Sequence, residues 1–205
     1  MTGMVVARCL FAVAGLVLLG PMILFCFFPA VVRVWFESGP EGVEAGAPPA
    51  SLSLIAELRR MGFQALGVKV ERMPLRPRIR ERSFVANDRR CYASVAGSAK
   101  RSRLYYYTPF PDGGLVLTSN GAFPKIASAS VIQHSYPGTG AEQLLELHDQ
   151  ALVSLGRRGE VEPTPEARVA ATLLYYLTPE VHRILRLTGI CLLVSLVVLD
   201  LLLVR

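Results

Sequence analysis

The sequence has few of the residues that build common catalytic and metal sites. It contains three histidines and four cysteines, and Cys9, Cys26 and Cys191 lie in long apolar runs, which leaves Cys91 alone between those runs. One cysteine cannot form a disulfide framework, and no histidine lies at zinc-ligand spacing from it. No His-Glu-x-x-His or Gly-x-Ser-x-Gly motif is present, so neither a zinc protease nor a serine hydrolase is supported. We expect no catalytic residue, no metal and no cofactor, and enzymatic activity stays open but disfavoured.

Charge is absent from one long segment. No charged residue occurs between Cys9 and Val32, and a helix of that length, at about 1.5 Å per residue, exceeds the roughly 30 Å of bilayer hydrocarbon. The run is also longer than the apolar core of a secretory signal. A second apolar run covers residues 187–204. We interpret 9–32 and 187–204 as two transmembrane helices, with a short tail over residues 1–8.

Residues typical of a membrane interface flank both runs. Basic and aromatic side chains are enriched where a spanning helix meets the head groups. Two spans place both ends of the chain on one side, and more positive charge flanks the spans on the side of the middle segment. We therefore expect a cytosolic middle segment in a two-pass membrane protein. The predicted interface residues are Arg33, Trp35, Phe36, Arg183 and Arg186.

One acid, Asp200, lies inside the second run. An acid within a span is a candidate for ion movement or helix pairing. The alternative is that Asp200 lies near the head groups beside Arg205. We favour the position near the head groups and keep a role in ion movement or helix pairing as the alternative.

Positive charge is concentrated in one part of the middle segment. Between residues 59 and 103 there are 13 Lys or Arg against Glu71, Glu81 and Asp88. Beside a bilayer, each exposed basic residue contributes about 1 kcal/mol of attraction to anionic lipid. We expect contact with anionic lipid or an acidic protein partner, and the alternative is a solvated sheet face. The candidate contact residues are Arg76, Arg78, Arg80, Arg82, Arg89, Arg90, Lys100, Arg101 and Arg103.

The middle segment predicts a small α+β domain. Residues 33–51 are rich in Gly, Pro and Glu and predict a linker. Residues 52–157 predict a helix, five or six short strands with turn signals between them, and a second helix; tight turns favour an antiparallel meander. We expect the helices to cover one face of the sheet. The clearest strands predicted are 83–86, 91–95, 104–108, 115–119 and 129–134.

Two helix starts follow the domain within residues 158–186. Thr164-Pro165-Glu166 and Thr178-Pro179-Glu180 each combine an N-cap residue, a proline at N1 and an acid in the first turn. The first helix would lie on the bilayer or pack under the sheet, and the second would continue into the span. The predicted fold class is thus α+β and membrane-anchored: two transmembrane helices flank a small antiparallel β-meander domain with helices at both ends.

Three hypotheses for function follow. The favoured one is an accessory or interaction module of a membrane assembly. The second is a membrane-anchored ligand sensor or enzyme with a pocket between sheet and helices, which a concave pocket with converging polar groups would favour. The third and least favoured is a nucleic-acid-binding module, in which Tyr105, Tyr106 and Tyr107 stack on bases beside Lys100 and neighbouring arginines.

Overall fold

The computed structural model describes residues 2–74, 77–98 and 101–203. Arg76 and Lys100 lie outside these ranges. The described residues form a mixed α+β structure with one large sheet. The helices are α1 (Thr2–Phe27), α2 (Pro49–Arg60), α3 (Ala141–Ser154), α4 (Pro165–Leu177) and α5 (Pro179–Leu203); the strands are β1 (Arg33–Ser38), β2 (Phe63–Arg72), β3 (Ile79–Ala86), β4 (Tyr92–Gly97), β5 (Ser102–Pro109), β6 (Leu115–Ser119), β7 (Ile126–Ala127) and β8 (Val131–Ser135).

The sheet has eight strands in the order β1-β2-β3-β4-β5-β6-β8-β7. The strands from β1 to β6 follow one another as an antiparallel meander, as predicted. The prediction is wrong at the far edge, where β8 runs parallel to β6. The segment between β6 and β8 returns the chain to the start of β6, and β7 then pairs antiparallel with the outer edge of β8.

The prediction of a linker from residue 33 is wrong for its first residues. Arg33–Ser38 form β1, an edge strand that pairs with β2. Phe36, which was assigned to the membrane interface, packs against the hydrophobic cluster beneath the sheet. Gly67 permits this pairing: it has φ +133°, and a Cβ there would lie 2.2 Å from the carbonyl oxygen of Ser38. Composition alone misses β1 because its partner strand begins about 30 residues later.

Helices cover both faces of the sheet, whereas we predicted that they would cover one. On the first face, α2 and α3 pack with residues such as Ile55 and Leu144 against Phe84 and Tyr106. On the second face, α4 and the first turns of α5 pack with Ala171 and Val181 against other strand residues. The layers are therefore helix, sheet, helix, because the strands present apolar side chains in alternation to both sides.

The helices α1 and α5 pack against each other in opposite directions. A Cβ on Gly15 would approach the side chain of Leu196 to 2.9 Å, and one on Gly189 would lie 2.8 Å from Cβ of Cys26. Small residues at both positions let the backbones come close, as is common between membrane helices. Near the domain, Nε2 of His182 lies 3.2 Å from the carbonyl oxygen of Phe27.

One helix among the described residues is long and apolar enough to cross a membrane, by length and composition. It is the Pro179–Leu199 part of α5, with a mean hydropathy of 1.8. In α1 the described apolar stretch is Val17–Phe27, which is shorter than a span. The second span, and with it the two-pass arrangement, stays a prediction.

Candidate binding cavity

A cavity of about 380 Å³ lies under the second face of the sheet. Its walls come from the strands β2, β3, β5 and β6, from α4, and from the adjoining ends of α1 and α5. Met22 and Phe25 of α1 and Ile184 and Leu185 of α5 form its apolar side. The volume is within the range of about 300–1,000 Å³ that is usual for small-molecule sites. The cavity thus lies where the folded domain joins the two apolar helices.

A group of four buried charges forms the polar wall of this cavity. We call Lys69, Glu71, Glu81 and Arg168 the ionic cluster. Nζ of Lys69 lies 2.5 Å from Oε1 of Glu71 and 2.8 Å from Oε2 of Glu81. Lys69 is completely buried, and the two carboxylates are nearly so. With Arg168 included, the cluster contains two positive and two negative charges, so its charges balance.

The strand register brings these charges together. Lys69 and Glu71 are two residues apart on β2 and therefore point to the same face. Lys69 is the register partner of Glu81 on β3. Arg168 reaches the same face from the first turn of α4, a helix whose start was predicted: Oγ1 of Thr164 accepts from the amide of Ala167, with Pro165 at N1.

Hydrogen bonds from neighbouring side chains complete the ionic cluster. Lys69 also donates to Oγ1 of Thr172 at 3.0 Å, and the hydroxyl of Tyr176 donates to Oε2 of Glu71 at 2.7 Å. The Tyr105 hydroxyl donates to Oε2 of Glu81 in a short hydrogen bond. Each ammonium proton of Lys69 therefore has an acceptor, and each carboxylate accepts at least two hydrogen bonds.

The Arg168 guanidinium lies among tyrosine rings. Its Cζ is 5.1 Å from the ring centroid of Tyr92 and 5.3 Å from that of Tyr107, which is cation–π geometry. The guanidinium donates to Oγ1 of Thr172 at 2.9 Å and to the hydroxyl of Tyr105 at 3.1 Å. Arg168 is 1% exposed, so its charge is neutralised by the cluster rather than by water.

The pKa shifts of Lys69 and Glu81 favour their charged forms near neutral pH. Burial by itself would lower the pKa of Lys69, but Glu71 and Glu81 raise it above its usual range. Burial would raise the pKa of Glu81, and Lys69 together with Tyr105 lowers it. Burial also raises the pKa of Tyr105 to about 12. A protonated Lys69 is not a nucleophile and a hydrogen-bonded Glu81 is a poor base, so the arrangement suits binding better than acid–base chemistry.

No protein family model, curated protein or solved structure matches this chain. The described residues also contain no group of three or more His, Cys, Asp or Glu side chains placed to hold a metal ion.

Three side chains on the cavity wall have polar atoms without a partner within the described residues: Gln133, Arg168 through its Nε, and Arg103. Gln133 is 1% exposed, and its Oε1 accepts no hydrogen bond, although its Nε2 donates to the carbonyl oxygen of Pro124 at 2.7 Å. The half-buried Arg103 has no carboxylate at ion-pair distance, and its Cζ lies 5.5 Å from the ring centroid of Phe123. Buried polar groups without partners are uncommon in native proteins. Gln133 and Arg168, together with the half-buried Arg103, therefore give this part of the cavity wall unused hydrogen-bonding capacity.

The predicted basic contact residues lie at both ends of the sheet. At the end of the sheet where α1 joins β1, the exposed residues include Arg78, Arg80 and Arg101. At the same end, Arg33 of β1 is the register partner of Arg72 of β2. We call this group of exposed arginines the basic end, and its members are Arg33, Arg72, Arg78, Arg80 and Arg101.

The other candidates of that group have internal partners or lie elsewhere. Arg82 is buried and its Nε donates to the carbonyl oxygen of Val43 at 2.9 Å. Arg89 and Arg90 lie in the turn at the opposite end of the sheet, and NH1 of Arg90 donates to Asp149 at 2.7 Å. These candidates therefore do not form one continuous surface, and their contact with anionic lipid or an acidic partner stays a prediction.

The predicted interface residues are separated by the fold. Arg183 and Arg186 are exposed on the first turns of α5, next to the predicted span. Trp35 and Phe36 belong to an edge strand, and the guanidinium of Arg78 lies over the Trp35 ring at 5.9 Å. Asp200 is in α5, and its side chain is outside the described part of the structure.

The three consecutive tyrosines of β5 belong to the protein core. Tyr105, Tyr106 and Tyr107 are each at most 6% exposed. Tyr105 and Tyr107 face the cavity side, and Tyr106 faces α3, where its hydroxyl donates to the carbonyl oxygen of Ala141 at 3.0 Å. Their rings are not accessible for stacking on bases, which removes the sequence argument for a nucleic-acid platform.

On the first face of the sheet, the buried His148 forms hydrogen bonds that serve the fold. Thr108 donates to the carbonyl oxygen of Arg90, so Nε2–H of His148 donates to Oγ1 of Thr108 at 2.9 Å. Nδ1 then accepts from the hydroxyl of Thr118 at 3.1 Å. Burial lowers the pKa of His148 to about 3, and the neutral ring links α3 to two strands.

The ionic cluster was missed in the sequence. In the sequence, Lys69, Glu71 and Glu81 lie within the basic segment of residues 59–103, and Arg168 lies far from it, in the helix predicted to begin after Thr164. The available signal was local: Lys69 and Glu71 alternate with Val68 and Val70 in an otherwise apolar strand. Charged residues at alternate positions between β-branched residues indicate a polar row on one sheet face.

Proposed function

We propose that this protein is a membrane-anchored binding module whose site is the cavity between the sheet, α4 and the α1/α5 pair. The ligand is an amphiphile from the bilayer. In this proposal α1 and α5 form a two-pass anchor, and the domain holds the polar part of the ligand. The observation that carries the proposal is the cavity itself, which combines converging polar groups with an apolar side at the base of the two helices.

The composition of the cavity wall supports an amphiphilic ligand. Its apolar side includes Met22, Phe25 and Ile184, which belong to the helices proposed to enter the bilayer. Its polar side is the ionic cluster with Gln133 and Arg103. An alkyl chain gains about 0.8 kcal/mol per methylene when it leaves water, which favours the cavity over water for the chain. A ligand that enters from the bilayer leaves an equally apolar environment, so its polar end decides whether it prefers the cavity to the lipid.

The test uses a substitution in α5 that places a large side chain in the cavity. Ile184→Trp puts an indole into the cavity, whereas Ile190→Trp puts the same group on an exposed position of the same helix. The tagged full-length protein is purified in mild detergent and analysed by native mass spectrometry. We expect about one retained amphiphile per chain in the wild type and in Ile190→Trp, and at least a 10-fold lower occupancy in Ile184→Trp. No retained molecule in the wild type, or equal occupancy in the two variants, contradicts the proposal.

A second candidate function is the accessory or interaction module, and the basic end favours it. Exposed arginines, among them Arg33, Arg78 and Arg101, are gathered where the chain leaves α1. In a membrane-anchored chain they lie near lipid head groups or an acidic partner. A stoichiometric protein that copurifies with the wild type and is lost from an Arg78→Gln/Arg101→Gln variant would support this function. Retention of that protein by the variant would count against it.

The orientation is proposed to be cytosolic for the domain. Cys91 is completely buried, so a labelling test needs a new thiol. Ser154→Cys at the exposed end of α3 provides one, and the wild-type protein serves as the control for the native cysteines. We expect a membrane-impermeant maleimide to label Ser154→Cys after cell lysis only. Labelling of intact cells above the wild-type level would place the domain outside.

A further inference from the structure

We propose that the ligand of this cavity is a single-chain anionic amphiphile with a hydroxyl close to its charge, bound by Arg103 and Gln133. Its chemical class is that of a lysophospholipid with a phosphate monoester and a free glycerol hydroxyl. This inference rests on the proposed function and adds the chemistry of the ligand's polar end.

The charge of the cavity wall favours an anion. The charged residues that line it are Lys69, Arg103 and Arg168 against Glu71 and Glu81, which leaves one positive charge in excess. Lys69 is satisfied by both carboxylates and by Thr172. Arg168 has no carboxylate at ion-pair distance either, but its guanidinium donates to Thr172, Ser94 and Tyr105 inside the cluster. Arg103 has neither an ion pair nor a hydrogen bond from its guanidinium within the described residues, so it is the cation that an incoming anion contacts.

The position of Arg103 suits a head group. It is half-buried on β5 near the end of the sheet where α1 enters, and it lines the cavity, so it is partly exposed to solvent and also borders the cavity. A guanidinium presents paired N–H donors to the oxygens of a phosphate or carboxylate, and such hydrogen bonds are about twice as strong as neutral ones. The Phe123 ring beneath it fixes the guanidinium without using its donors.

Gln133 supplies the second element of recognition. Its Oε1 is a buried acceptor without a donor. Its Nε2 donates to the carbonyl oxygen of Pro124, and its amide side chain is also hydrogen-bonded to Tyr175, another residue of the cavity wall. Pro124 follows Phe123, the residue under Arg103, so the two recognition groups lie on either side of one short segment. A phosphate in contact with Arg103 and a hydroxyl two or three bonds further along the same molecule would satisfy both groups.

The remaining length of the ligand runs along the apolar side of the cavity. Leu117 and Ile126 lie next to the Gln133 end, and Val181, Ile184 and Met22 continue toward the helices. One alkyl chain fits a cavity of about 380 Å³ better than two.

The experiment compares head groups on the same oleoyl chain. Full-length protein in zwitterionic phosphatidylcholine nanodiscs receives equal mole fractions of oleoyl lysophosphatidate, its 2-deoxy analogue and monooleoylglycerol, and native mass spectrometry gives the ratio of bound species. We expect lysophosphatidate to exceed monooleoylglycerol by about 10-fold or more, as a charge-assisted hydrogen bond requires. We expect it to exceed the deoxy analogue by about 5-fold, because that analogue leaves Oε1 of Gln133 unsatisfied.

Matched variants assign these preferences to residues. Arg103→Gln should abolish the preference over monooleoylglycerol, while Arg158→Gln, at an exposed position after α3 and outside both the cavity and the basic end, should keep it. Gln133→Met should abolish the preference over the deoxy analogue only. Glycerol 3-phosphate, which is the head group without the chain, should compete at least 100-fold more weakly; equal competition would indicate a free phosphate compound instead of a lipid.

The outcomes separate the two proposals. Equal binding of the three oleoyl compounds, or an unchanged preference in Arg103→Gln, overturns the anionic ligand but leaves the cavity as a binding site. Absence of binding by all three compounds, together with no retained molecule in the purified protein, overturns the proposed function as well.

Discussion

Lys69→Met is expected to destabilise the domain by about 3–5 kcal/mol, because it leaves two buried carboxylates without their cation. Glu71 and Glu81 lie 2.5 and 2.8 Å from the Lys69 ammonium and are almost inaccessible to water. For a chain of this size that loss corresponds to a decrease in Tm on the order of 10 °C. Thermal unfolding of the detergent-solubilised protein, followed by near-UV circular dichroism, measures it.

A double variant distinguishes charge imbalance from lost packing. Lys69→Met/Glu81→Leu removes one charge of each sign, so Arg168 and Glu71 remain as a balanced pair. We expect this variant to recover a large part of the Tm lost in Lys69→Met, because balanced or apolar replacements of buried ion pairs are tolerated far better than single deletions. If the double variant is less stable than Lys69→Met, packing by the lysine stem rather than charge balance holds the site together.

Gly67→Ala is expected to be about equally damaging, at about 3 kcal/mol or more. Gly67 has φ +133°, which alanine adopts only under strain, and its Cβ would lie 2.2 Å from the carbonyl oxygen of Ser38. Relief of that clash requires β1 to move away from β2. Because β1 follows α1 in the chain, we expect faster exchange of the amide hydrogens of β1 and a lower Tm.

The control for Gly67→Ala is Gly113→Ala in the turn between β5 and β6. Gly113 also has a positive φ, +86°, but a Cβ there would meet nothing within 4 Å. Only the conformational cost of about 1–2 kcal/mol applies. Similar losses in the two variants would show that backbone strain, and not the close approach of β1, accounts for the effect at Gly67.

Local patterns in the sequence predicted the elements that depend on nearby residues. The strand predicted at 115–119 is β6, and the helix start at Thr164 is confirmed together with its cap. Elements defined by distant partners were missed. β1 exists because β2 pairs with it, and β8 is parallel to β6 because of the path of the chain between them.

Local sequence patterns could not predict the candidate site either, because its residues are distant from one another in the sequence. Lys69 meets Glu81 through the register of β2 and β3, and Arg168 meets Tyr105 across 63 residues of sequence. Periodicity predicts that Tyr105 and Tyr107 share a face, but not that α4 will place an arginine between their rings. The cavity depends on how α1, α4 and α5 pack around that face, and this packing is a property of the whole fold.

The connections between the domain and the helices α1 and α5 are very short. A single 3-10 turn, Pro29–Val31, separates α1 from β1, and Thr178 alone separates α4 from α5. Flexible tethers of many residues allow a domain to tumble beside a bilayer. In a chain anchored as proposed, these two short connections instead fix the orientation of the sheet relative to the membrane plane. A change in the tilt of α1 or α5 would therefore move the residues that this helix contributes to the cavity wall.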